Sequence, residues 1–419
     1  MTRSPQCRHC AAPVSLVFAD LGTAPPSNSY LPPDGLAAPE TYYPLKVGVC
    51  ERCWLVQTED FAGRETFFAA DYAYFSSVSR SWLAHAEAYV ADMAARFALG
   101  PSSHIVEIAS NDGYLLQYAK AAGIPCTGIE PTHSTAEAAR AKGIDVIEAF
   151  FGEAMGAQLA REGRAADLTA ANNVLAHVPD INDFVRGFAR VLKADGVATF
   201  EFPHLMRLVE GRQFDTIYHE HYSYLSLLAV HRVFTANGLA VFDVTELPTH
   251  GGSLRVFAQR ADRGTRPVSP HVAELLARER AAGMETAEYY SGFQHEIHRI
   301  RDEALRYLID ARRRGLSVAA YGAAAKGNTL LNFCGVKSGL IDYVCDAAPS
   351  KAGTFLPGTR IPVVTPDRID ETRPDRILIL PWNLRAEIAA QLAHVSQWGA
   401  RFVVVVPQIE EFDPAGGAP

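Results

Sequence analysis

The chain has 419 residues, of which 48% are hydrophobic and 21% charged, a balance typical of folded globular proteins and unlike that of disordered chains. The net charge is −8 with no block of Lys and Arg, which argues against a nucleic-acid partner, and no apolar run is long enough to cross a membrane. The length predicts two to three domains, and an N-terminus without an apolar stretch predicts a cytoplasmic protein.

Four of the seven cysteines form two pairs with a two-residue gap, Cys7 with Cys10 and Cys50 with Cys53. This spacing lets both sulfur atoms of a pair bind one ion, and two pairs supply the four thiolates of a tetrahedral zinc site. Because protein fills all four positions, we expect a structural Zn²⁺ that supports a small module. The segment between the pairs is rich in Pro, Ser and Tyr and predicts an irregular loop. Unrelated buried thiols and a redox dithiol are the alternatives.

From residue 104, short apolar runs alternate with alanine-rich helical stretches, the pattern of a parallel sheet with helices on both faces. We expect the last two strands to form an antiparallel hairpin at the sheet edge. The predicted strands cover 104–108, 126–129, 145–148, 167–172, 196–202, 239–244 and 253–258. A seven-stranded sheet of this kind resembles the class I methyltransferase fold, which is a Rossmann-like α/β architecture.

The turn after the first of these strands contains one glycine, Gly113. A pyrophosphate needs close backbone approach from several glycines, so the turn disfavours NAD and tolerates a sulfonium amino acid, S-adenosylmethionine. The second strand ends at Glu130, whose carboxylate can accept hydrogen bonds from both ribose hydroxyls. Capping and turn roles are the alternative for these residues. The candidate cofactor-binding residues are Glu107, Ser110, Asn111, Asp112, Gly113, Glu130, Phe150, Asn172 and Asn173.

The segment after the fifth strand, FDTIYHEHYSY from Phe214 to Tyr224, is crowded with groups that donate, accept or shuttle protons. Each buried polar group must find a partner, so this density indicates a chemical task. Three interpretations stay open at this point. They are a polar loop with helix caps, a metal site at His219 and His221, and general acid–base catalysis by histidine and tyrosine near neutral pH.

Six motifs occur in order along the chain: the two CxxC pairs, VEIASNDGYLL, TAANNVLAHVPD, FDTIYHEHYSYLS, THGGSLRVFA and AYGAAAKGNTLLN. Together they resemble the zinc-containing sugar C-methyltransferases of deoxysugar and antibiotic biosynthesis. The resemblance covers nearly the whole chain. It implies S-adenosylmethionine as the methyl donor and a dTDP-linked 4-keto-6-deoxy sugar as the acceptor, methylated at carbon 3 or, in some members, carbon 5.

The resemblance also implies roles for individual residues in the Tyr-His-Glu-His motif and near it. We expect His221 to be the base, Glu220 to orient it or to stabilise its imidazolium, and Tyr218 to position the sugar or donate to the enolate. His177 is expected to be the electrophilic partner of the carbon 4 oxygen. Which of Tyr218, His221 and His177 takes the proton is left open. Further candidates at the sugar are Tyr72, Tyr74 and Tyr222.

The last third of the chain begins with a linker over 264–270 and a charged stretch over 271–315 that predicts a solvated connecting helix. A second α/β alternation follows, with strands over 316–321, 341–346, 376–379 and 402–406. After its first strand, a glycine turn and Lys326 at a helix start predict an anion site. An exposed structural lysine is the alternative. The resemblance implies nucleotide-sugar recognition here, by Tyr321, Lys326 and Asn328.

The sequence thus predicts an α/β chain in three parts: a zinc-binding module over 1–70, an S-adenosylmethionine-binding methyltransferase domain over 71–262, and a helical connection with a second Rossmann-like domain over 263–419. Nothing indicates an obligate dimer, so the chain is expected to be able to act as a monomer. Three other functions compete: methylation at carbon 5, an NAD-dependent sugar-nucleotide epimerase or dehydrogenase, and a zinc-bearing adaptor without activity.

Overall fold

The computed structural model describes residues 5–61, 63 and 75–413, which form three β-sheets with surrounding helices. The strands are β1 (Leu16–Ala24), β2 (Tyr43–Val49), β3 (Val56–Thr58), β4 (Ile105–Ile108), β5 (Cys126–Ile129), β6 (Asp145–Ile147), β7 (Ala166–Asn172), β8 (Leu192–Pro203), β9 (Ser223–Tyr224), β10 (Leu239–Leu247), β11 (Ser253–Arg260), β12 (Val318–Tyr321), β13 (Val344–Cys345), β14 (Val363–Val364), β15 (Arg376–Ile379), β16 (Arg401–Val404) and β17 (Glu410–Phe412).

The α-helices are α1 (Arg80–Phe97), α2 (Leu116–Ala121), α3 (His133–Ala141), α4 (Glu153–Arg161), α5 (Ile181–Val191), α6 (Leu205–Glu210), α7 (Leu227–Ala236), α8 (Pro270–Ala281), α9 (Ala287–Ser291), α10 (Phe293–Arg313), α11 (Ala325–Phe333), α12 (Asp367–Thr372) and α13 (Arg385–Gln391). Short 3-10 helices cover Pro33–Ala37, Ser76–Val78, Leu175–His177, Phe214–Thr216, Thr249–Gly251, Trp382–Leu384 and Ala393–Trp398. Among all these helices, none is long and apolar enough to span a bilayer.

The middle of the chain forms a seven-stranded sheet in the order β6-β5-β4-β7-β8-β11-β10. Strands β4 to β8 run parallel, and β11 runs antiparallel to both of its neighbours, β8 and β10. The predicted edge hairpin is confirmed, as is the class I methyltransferase fold. The residues of β4 are all buried, as in parallel strands covered by helices on both faces. The carboxyl ends of β4 to β7 therefore meet at one sheet edge, where such folds bind ligands.

A four-stranded sheet in the order β1-β2-β3-β9 joins the N-terminal module to the middle of the chain. The predicted irregular loop over 21–44 is confirmed for residues 25–42, whereas its ends are strand, because β1 continues to Ala24 and β2 begins at Tyr43. Alternating apolar side chains such as Phe18, Leu45 and Val47 face one large core that also contains α10 and the C-terminal sheet. The module therefore shares a core with the rest of the protein.

The C-terminal sheet has the order β14-β13-β12-β15-β16-β17 and is parallel except for β17. The second α/β alternation is confirmed, although β14 and β17, with two and three residues, escaped prediction. The domain boundaries remain predictions. The first, at residue 70, lies outside the described residues, and the second, at 262, falls between β11 and α8.

The predicted single solvated helix over 271–315 is wrong, because the region forms the three helices α8, α9 and α10. The longest, α10, buries an apolar face along its whole length. Its buried residues recur three or four positions apart, the spacing of one helix face, while the charged residues occupy the other faces. They are Phe293, Ile297, Ile300, Ala304, Leu308 and Ala311.

A buried hydrogen-bond network attaches this helical region to the methyltransferase sheet. The carboxylate of Glu279, near the end of α8, accepts hydrogen bonds from the backbone N–H groups of Leu227 and Leu228, each at 2.7 Å. The same carboxylate lies 2.7 Å from Nε2 of His204, which follows β8. Glu279 thus satisfies N–H groups at the start of α7 that have no partner within the helix.

Replacing this carboxylate is expected to destabilise the fold strongly. In Glu279→Ala, the buried His204 ring and two helix-start N–H groups lose their partner, and removing one member of a buried pair costs about 3–5 kcal/mol. Urea unfolding followed by far-UV circular dichroism measures the change. Glu274→Ala removes the same side chain from an exposed position of α8 and should leave the transition within experimental error. Equal midpoints for the two variants would contradict the assignment.

Candidate active site

The two cysteine pairs adopt the same backbone turn. In each, the N–H of the first cysteine donates to the carbonyl five residues later, at 2.8 Å for Cys7 and 3.0 Å for Cys50. The residue after the second cysteine has a left-handed backbone in both turns, with φ of 58° at Ala11 and 61° at Trp54. The chain therefore builds one metal-binding turn, here called a knuckle, twice.

The four sulfur atoms lie within 4.8 Å of one another. Cys7 Sγ is 3.5 Å from Cys53 Sγ, and Cys10 Sγ is 3.5 Å from Cys50 Sγ, so the ligands of the two knuckles interleave. These distances exceed a disulfide bond of about 2.05 Å. They approach the edge of roughly 3.8 Å that a tetrahedron with Zn–S bonds of about 2.3 Å requires. The four predicted ligands thus suit structural zinc.

A cavity of about 400 Å³ lies at the carboxyl ends of β4 to β7 and extends to the start of α11 in the C-terminal sheet. It brings together residues from the N-terminal segment, the methyltransferase sheet, the Tyr-His-Glu-His motif and the C-terminal sheet. Its polar and aromatic walls include Asn28, Tyr30, Trp82, Asn111, Glu130, Phe150, Asn172, Asn173, His177, Tyr218, Glu220, His221, His250, Lys326, Lys351 and Asn383.

Glu130, at the end of β5, is held in one orientation on the cavity wall. Its Oε2 accepts from the Asn111 N–H at 2.9 Å, and its Oε1 accepts from the N–H of Thr132 at 2.9 Å and from the Thr132 hydroxyl. A carboxylate oxygen can accept more than one hydrogen bond. Three of its roughly four acceptor sites are filled, so the fixed carboxylate keeps one at Oε2 for a ribose hydroxyl, which fits S-adenosylmethionine.

Four of the predicted cofactor residues lie behind this wall and, among the described residues, are not part of the cavity lining. Glu107 is fully buried, and burial raises the pKa of its carboxyl well above the usual value while a hydrogen bond with Tyr114 opposes this. Ser110 packs under the turn and Asp112 lies 3.4 Å from Lys142. Gly113 has a φ of 75°, and a Cβ there would lie 2.3 Å from Ile144. These residues shape the turn.

The predicted catalytic residues meet in the centre of the cavity. His221 Nδ1 donates to the carbonyl oxygen of Thr216 at 2.9 Å, so Nε2 is left as the acceptor in the neutral ring. The Tyr218 hydroxyl donates to that Nε2 at 2.6 Å. The rings of His177 and His221 are edge to face, with centroids 4.6 Å apart. Tyr218 and His221 thus form a proton-transfer couple whose direction is set by Thr216.

The expected orienting role of Glu220 falls to Thr216 instead. Both ring nitrogens of His221 have the partners just described, and Oε1 of Glu220 accepts from the Asn28 amide at 2.6 Å. A backbone carbonyl can do this work because orientation needs only an acceptor at Nδ1. Stabilisation of an imidazolium by Glu220 stays a prediction.

Burial keeps the histidines of the cavity neutral. It lowers the pKa of His177 to about 4, against a smaller opposing effect of a backbone hydrogen bond with Glu220. Burial also lowers the pKa of His221 well below its usual value, and positive charge on His177 and Lys326 would lower it further. Near pH 7 these imidazoles therefore act as neutral donors and acceptors.

Among the described residues only the cysteines cluster as metal ligands, so the alternative of a metal at His219 and His221 has no support.

Lys326 enters the cavity from the C-terminal sheet. Its Nζ donates to Oδ1 of Asn383 at 2.7 Å and lies 4.7 Å from the ring centroid of Trp382. The Trp382 indole donates to Asp215 at 2.8 Å, which links this lysine to the segment before the catalytic motif. Burial lowers the pKa of Lys326, and the charge of Asp215 opposes the change. Lys326 therefore forms part of the cavity wall, where Asn383 and Trp382 hold its side chain, and it is not exposed.

Three other predicted substrate residues that the structure describes, Tyr222, Tyr321 and Asn328, do not line the cavity. Tyr72 and Tyr74 lie outside the described residues. Tyr222 is buried beneath the Arg8 guanidinium, and Tyr321 is buried in the core of the C-terminal sheet. Asn328 donates to the carbonyl of Ser27 at 2.6 Å and so ties α11 to the N-terminal segment. Their tertiary partners are distant in sequence, so local sequence could not place them.

Sequence analysis missed several residues of the cavity wall, and His250 and Lys351 are two of them. His250 has a left-handed backbone with φ of 55°, and its Nε2 lies 3.1 Å from the amide nitrogen of Asn173, which also has a φ of 55°. Strained backbone in non-glycine residues is typical of functional sites. Lys351 follows β13 and donates to the Ala323 carbonyl at 2.8 Å. The motif THGGSLRVFA contains His250 and offered a signal, whereas Lys351 had none beyond its place after a strand.

A class I sheet whose strand β5 leads to the oriented carboxylate of Glu130, in one cavity with the Tyr218–His221 couple, is typical of an S-adenosylmethionine-dependent methyltransferase. Family models match a zinc binding domain over residues 7–68, a methyltransferase domain over 82–244 and a C-methyltransferase C-terminal domain over 248–407. The C-methyltransferase NovU of Streptomyces niveus is 34% identical over 403 residues, 96% of each chain. The chain belongs to this family of zinc-containing C-methyltransferases. The NAD-dependent and adaptor alternatives are therefore wrong.

Solved methyltransferases are also similar to part of the chain. One is the magnesium protoporphyrin IX methyltransferase of Synechocystis PCC 6803 with bound SAH, at 16% identity over 42% of this chain and 83% of that chain, with a TM-score of 0.34. Another is an S-adenosylmethionine-dependent methyltransferase of Clostridium acetobutylicum, at 10% identity over 43% of this chain and 91% of that chain, with a TM-score of 0.34.

The role of Glu130 is tested by its removal. Glu130→Ala takes away the carboxylate that we expect to accept from the ribose, and it frees the N–H groups of Asn111 and Thr132. We expect the Kd for S-adenosylmethionine to rise about 10- to 100-fold, since a hydrogen bond to a charged group contributes about 1.5–3 kcal/mol. Isothermal titration calorimetry gives the Kd, and Glu137→Ala on the exposed side of α3 is the control. An unchanged Kd in Glu130→Ala would remove this residue from the cofactor site.

Proposed function

We propose that this methyltransferase adds a methyl group to carbon 3 of a dTDP-linked 4-keto-6-deoxy sugar. One observation carries the proposal. A single cavity contains Glu130, which we assign to the cofactor, the Tyr218–His221 couple, and two lysines next to the C-terminal sheet, Lys326 and Lys351. The sugar C-methyltransferases that the motifs resemble need these three elements together, one for the donor, one for the proton and one for the diphosphate.

The chemistry requires removal of the proton on the carbon next to the ketone. We assign its removal to the Tyr218–His221 couple, in which the Nε2 lone pair of His221 is the final acceptor. Because the Tyr218 hydroxyl already donates to the lone pair of Nε2, the proton is relayed: the Tyr218 oxygen takes the proton from carbon while its own proton passes to Nε2. A neutral imidazole with Nδ1 held by Thr216 can accept at Nε2 without rearrangement. The electron pair left on carbon spreads onto the carbon 4 oxygen as an enolate.

The enolate oxygen needs a donor close to it. His177 lies beside the couple as a neutral imidazole, because its pKa lies near 4, and we assign its single N–H, which bonds the Glu220 backbone in the free enzyme, to the enolate oxygen when the sugar is bound. When bound, S-adenosylmethionine supplies an electrophilic methyl group on a positively charged sulfur. The residues around it exclude water from the carbanion, since Phe150, Trp82 and Ala176 line the same cavity.

We assign the diphosphate of the substrate to the part of the cavity wall next to the C-terminal sheet. Lys326 lies in the first turn of α11, where the free N–H groups of a nine-residue helix also favour an anion. Lys351 is 3.2 Å from Asp346 and lies over the ring of Tyr30 at 5.6 Å. Two lysines and a helix N-terminus match the charge of a nucleoside diphosphate. A monomer remains the expected functional unit.

The proposal predicts the product and the role of His221 together. With a dTDP-4-keto-6-deoxyhexose, the enzyme should give a sugar heavier by ~14 Da, with the new methyl on carbon 3. His221→Asn, which keeps a polar side chain of similar size without the basic nitrogen, should lower kcat about 10²- to 10⁴-fold.

Mass spectrometry measures the product and ¹³C nuclear magnetic resonance locates the methyl, so methylation at carbon 5 would be detected directly. In D₂O without methyl donor, the wild-type enzyme should exchange the carbon 3 proton and His221→Asn should not. Near-normal turnover in His221→Asn would refute the assignment of the base.

The pH dependence of kcat follows from the burial of the histidines. Turnover needs neutral His221, and the pKa of this group is lowered, so activity is lost only as the pH falls through that lowered value. We expect kcat to stay constant from pH 8 down to below 6.5 and to fall at lower pH. An acid limb centred near the ordinary histidine pKa of about 6.5 would contradict a buried imidazole base.

A further inference from the structure

Arg8 lies between two zinc ligands, Cys7 and Cys10, yet its side chain points away from the metal site. The guanidinium is 7% exposed. Its Nη1 donates to the carbonyl of Pro179 at 2.8 Å, and its Nη2 donates to the carbonyl of Thr58 at 2.7 Å and to Oδ1 of Asp60 at 2.9 Å. One side chain of the knuckle therefore holds two separate backbone segments.

One segment carries His177, and the other is hydrogen-bonded to the backbone of His221. Pro179 comes two residues after His177, on the loop that follows β7. Thr58 closes β3, and its hydroxyl donates to the carbonyl of His221 at 3.2 Å, while its N–H donates to the carbonyl of Tyr222 at 3.2 Å. The Arg8 guanidinium thus bridges Pro179, on the loop of His177, and Thr58, which bonds the backbone of His221.

A third contact closes the network. The N–H of Tyr222 donates to the carbonyl of Ala176 at 2.8 Å, which ties the two catalytic segments to each other. The Tyr222 ring lies under the Arg8 guanidinium, 5.3 Å from ring centroid to Cζ, so the charge also stabilises this aromatic side chain. The segments of His177 and His221 are thus joined directly, and Arg8 links Pro179 on the first segment to Thr58, which bonds the second.

The position of Arg8 is itself fixed by the knuckle. Its N–H donates to Oε1 of Gln57 at 2.9 Å, and the side-chain amide of Asn182 donates to the carbonyls of Arg8 and His9, at 3.3 and 2.9 Å. A guanidinium has a rigid planar fork of donors, so a fixed backbone gives a fixed direction to its hydrogen bonds. Four bound thiolates would hold that backbone in turn.

We propose that Arg8 is a positioning residue for methyl transfer, through which the Cys7–Cys10 knuckle sets the relative placement of the loops that carry His177 and His221. The proposal rests on the catalytic roles assigned to these histidines in the proposed function. Zinc would then contribute to the geometry of the active site as well as to the stability of the N-terminal module.

The test replaces the guanidinium and keeps the metal ligands. Arg8→Met retains the length of the side chain without its donors, and Arg8→Lys retains one charged donor without the fork. Arg52→Met is the matched control, because Arg52 lies between the two cysteines of the other knuckle and is exposed. For each purified holoenzyme, zinc content, the Kd for S-adenosylmethionine, kcat, KM and backbone hydrogen–deuterium exchange are measured.

We expect Arg8→Met to keep the zinc content and the Kd for S-adenosylmethionine of the wild type, and to lose about 10- to 100-fold in kcat, since a misplacement of about 1 Å can cost ~10²-fold. Hydrogen exchange should become faster in peptides covering 176–181 and 218–224 and unchanged in the C-terminal sheet. Arg8→Lys should fall between the wild type and Arg8→Met. Arg52→Met should match the wild type in every measurement.

A kcat for Arg8→Met within twofold of the wild type, or unchanged exchange in both peptides, overturns the proposal. Should Arg8→Met lose zinc, Thr58→Val decides in its place, because it removes the hydroxyl contact to His221 without touching a knuckle. A wild-type kcat in that variant also overturns the proposal. His221→Asn in the same assay separates the two hypotheses: if it is inactive while Arg8→Met is normal, only the positioning role fails.

Discussion

The pairing of β3 with β9 is the constraint on which the active site depends. Val56 pairs with Tyr224 and Gln57 with Ser223, so a strand that leaves the second zinc knuckle adds the segment directly after His221 to the N-terminal sheet. A segment so rich in titratable groups has little propensity to order itself. Main-chain hydrogen bonds to a strand fixed by the knuckle give it one conformation and present Tyr218 and His221 to the same cavity.

Burial gives this arrangement its chemical character. The cavity is enclosed by two sheets and by the N-terminal segment, and desolvation disfavours the charged form of each imidazole within it. A neutral histidine can be an acceptor at one nitrogen and a donor at the other, and Thr216 decides which is which for His221. The positive charges that remain, on Lys326 and Lys351, lie where a diphosphate would neutralise them. The charged lysines and the neutral imidazoles thus occupy different parts of the same cavity.

The sequence predicted the fold well where hydrophobic runs are long and local. The seven strands of the central sheet, the edge hairpin and the second α/β alternation follow from such runs, because a buried parallel strand is apolar at nearly every position. Sequence patterns did not reveal short strands such as β9 and β14, and they did not reveal the buried face of α10. A two-residue strand has no period to detect, and the many Arg and Glu residues of α10 conceal an apolar face that recurs only every third or fourth position.

The sequence by itself determined the zinc ligands, the class of sheet and the motif to which we assign the catalytic groups, because each is encoded by residues close together along the chain. Only the tertiary structure decided that Thr216 and not Glu220 orients His221, that Tyr222 packs under Arg8, and that His250 and Lys351 line the cavity. The contact of His221 with Thr216 spans only five residues but depends on how the loop is folded, and the others join segments tens to hundreds of residues apart. Such contacts arise from the shared packing of three sheets, which no local pattern records.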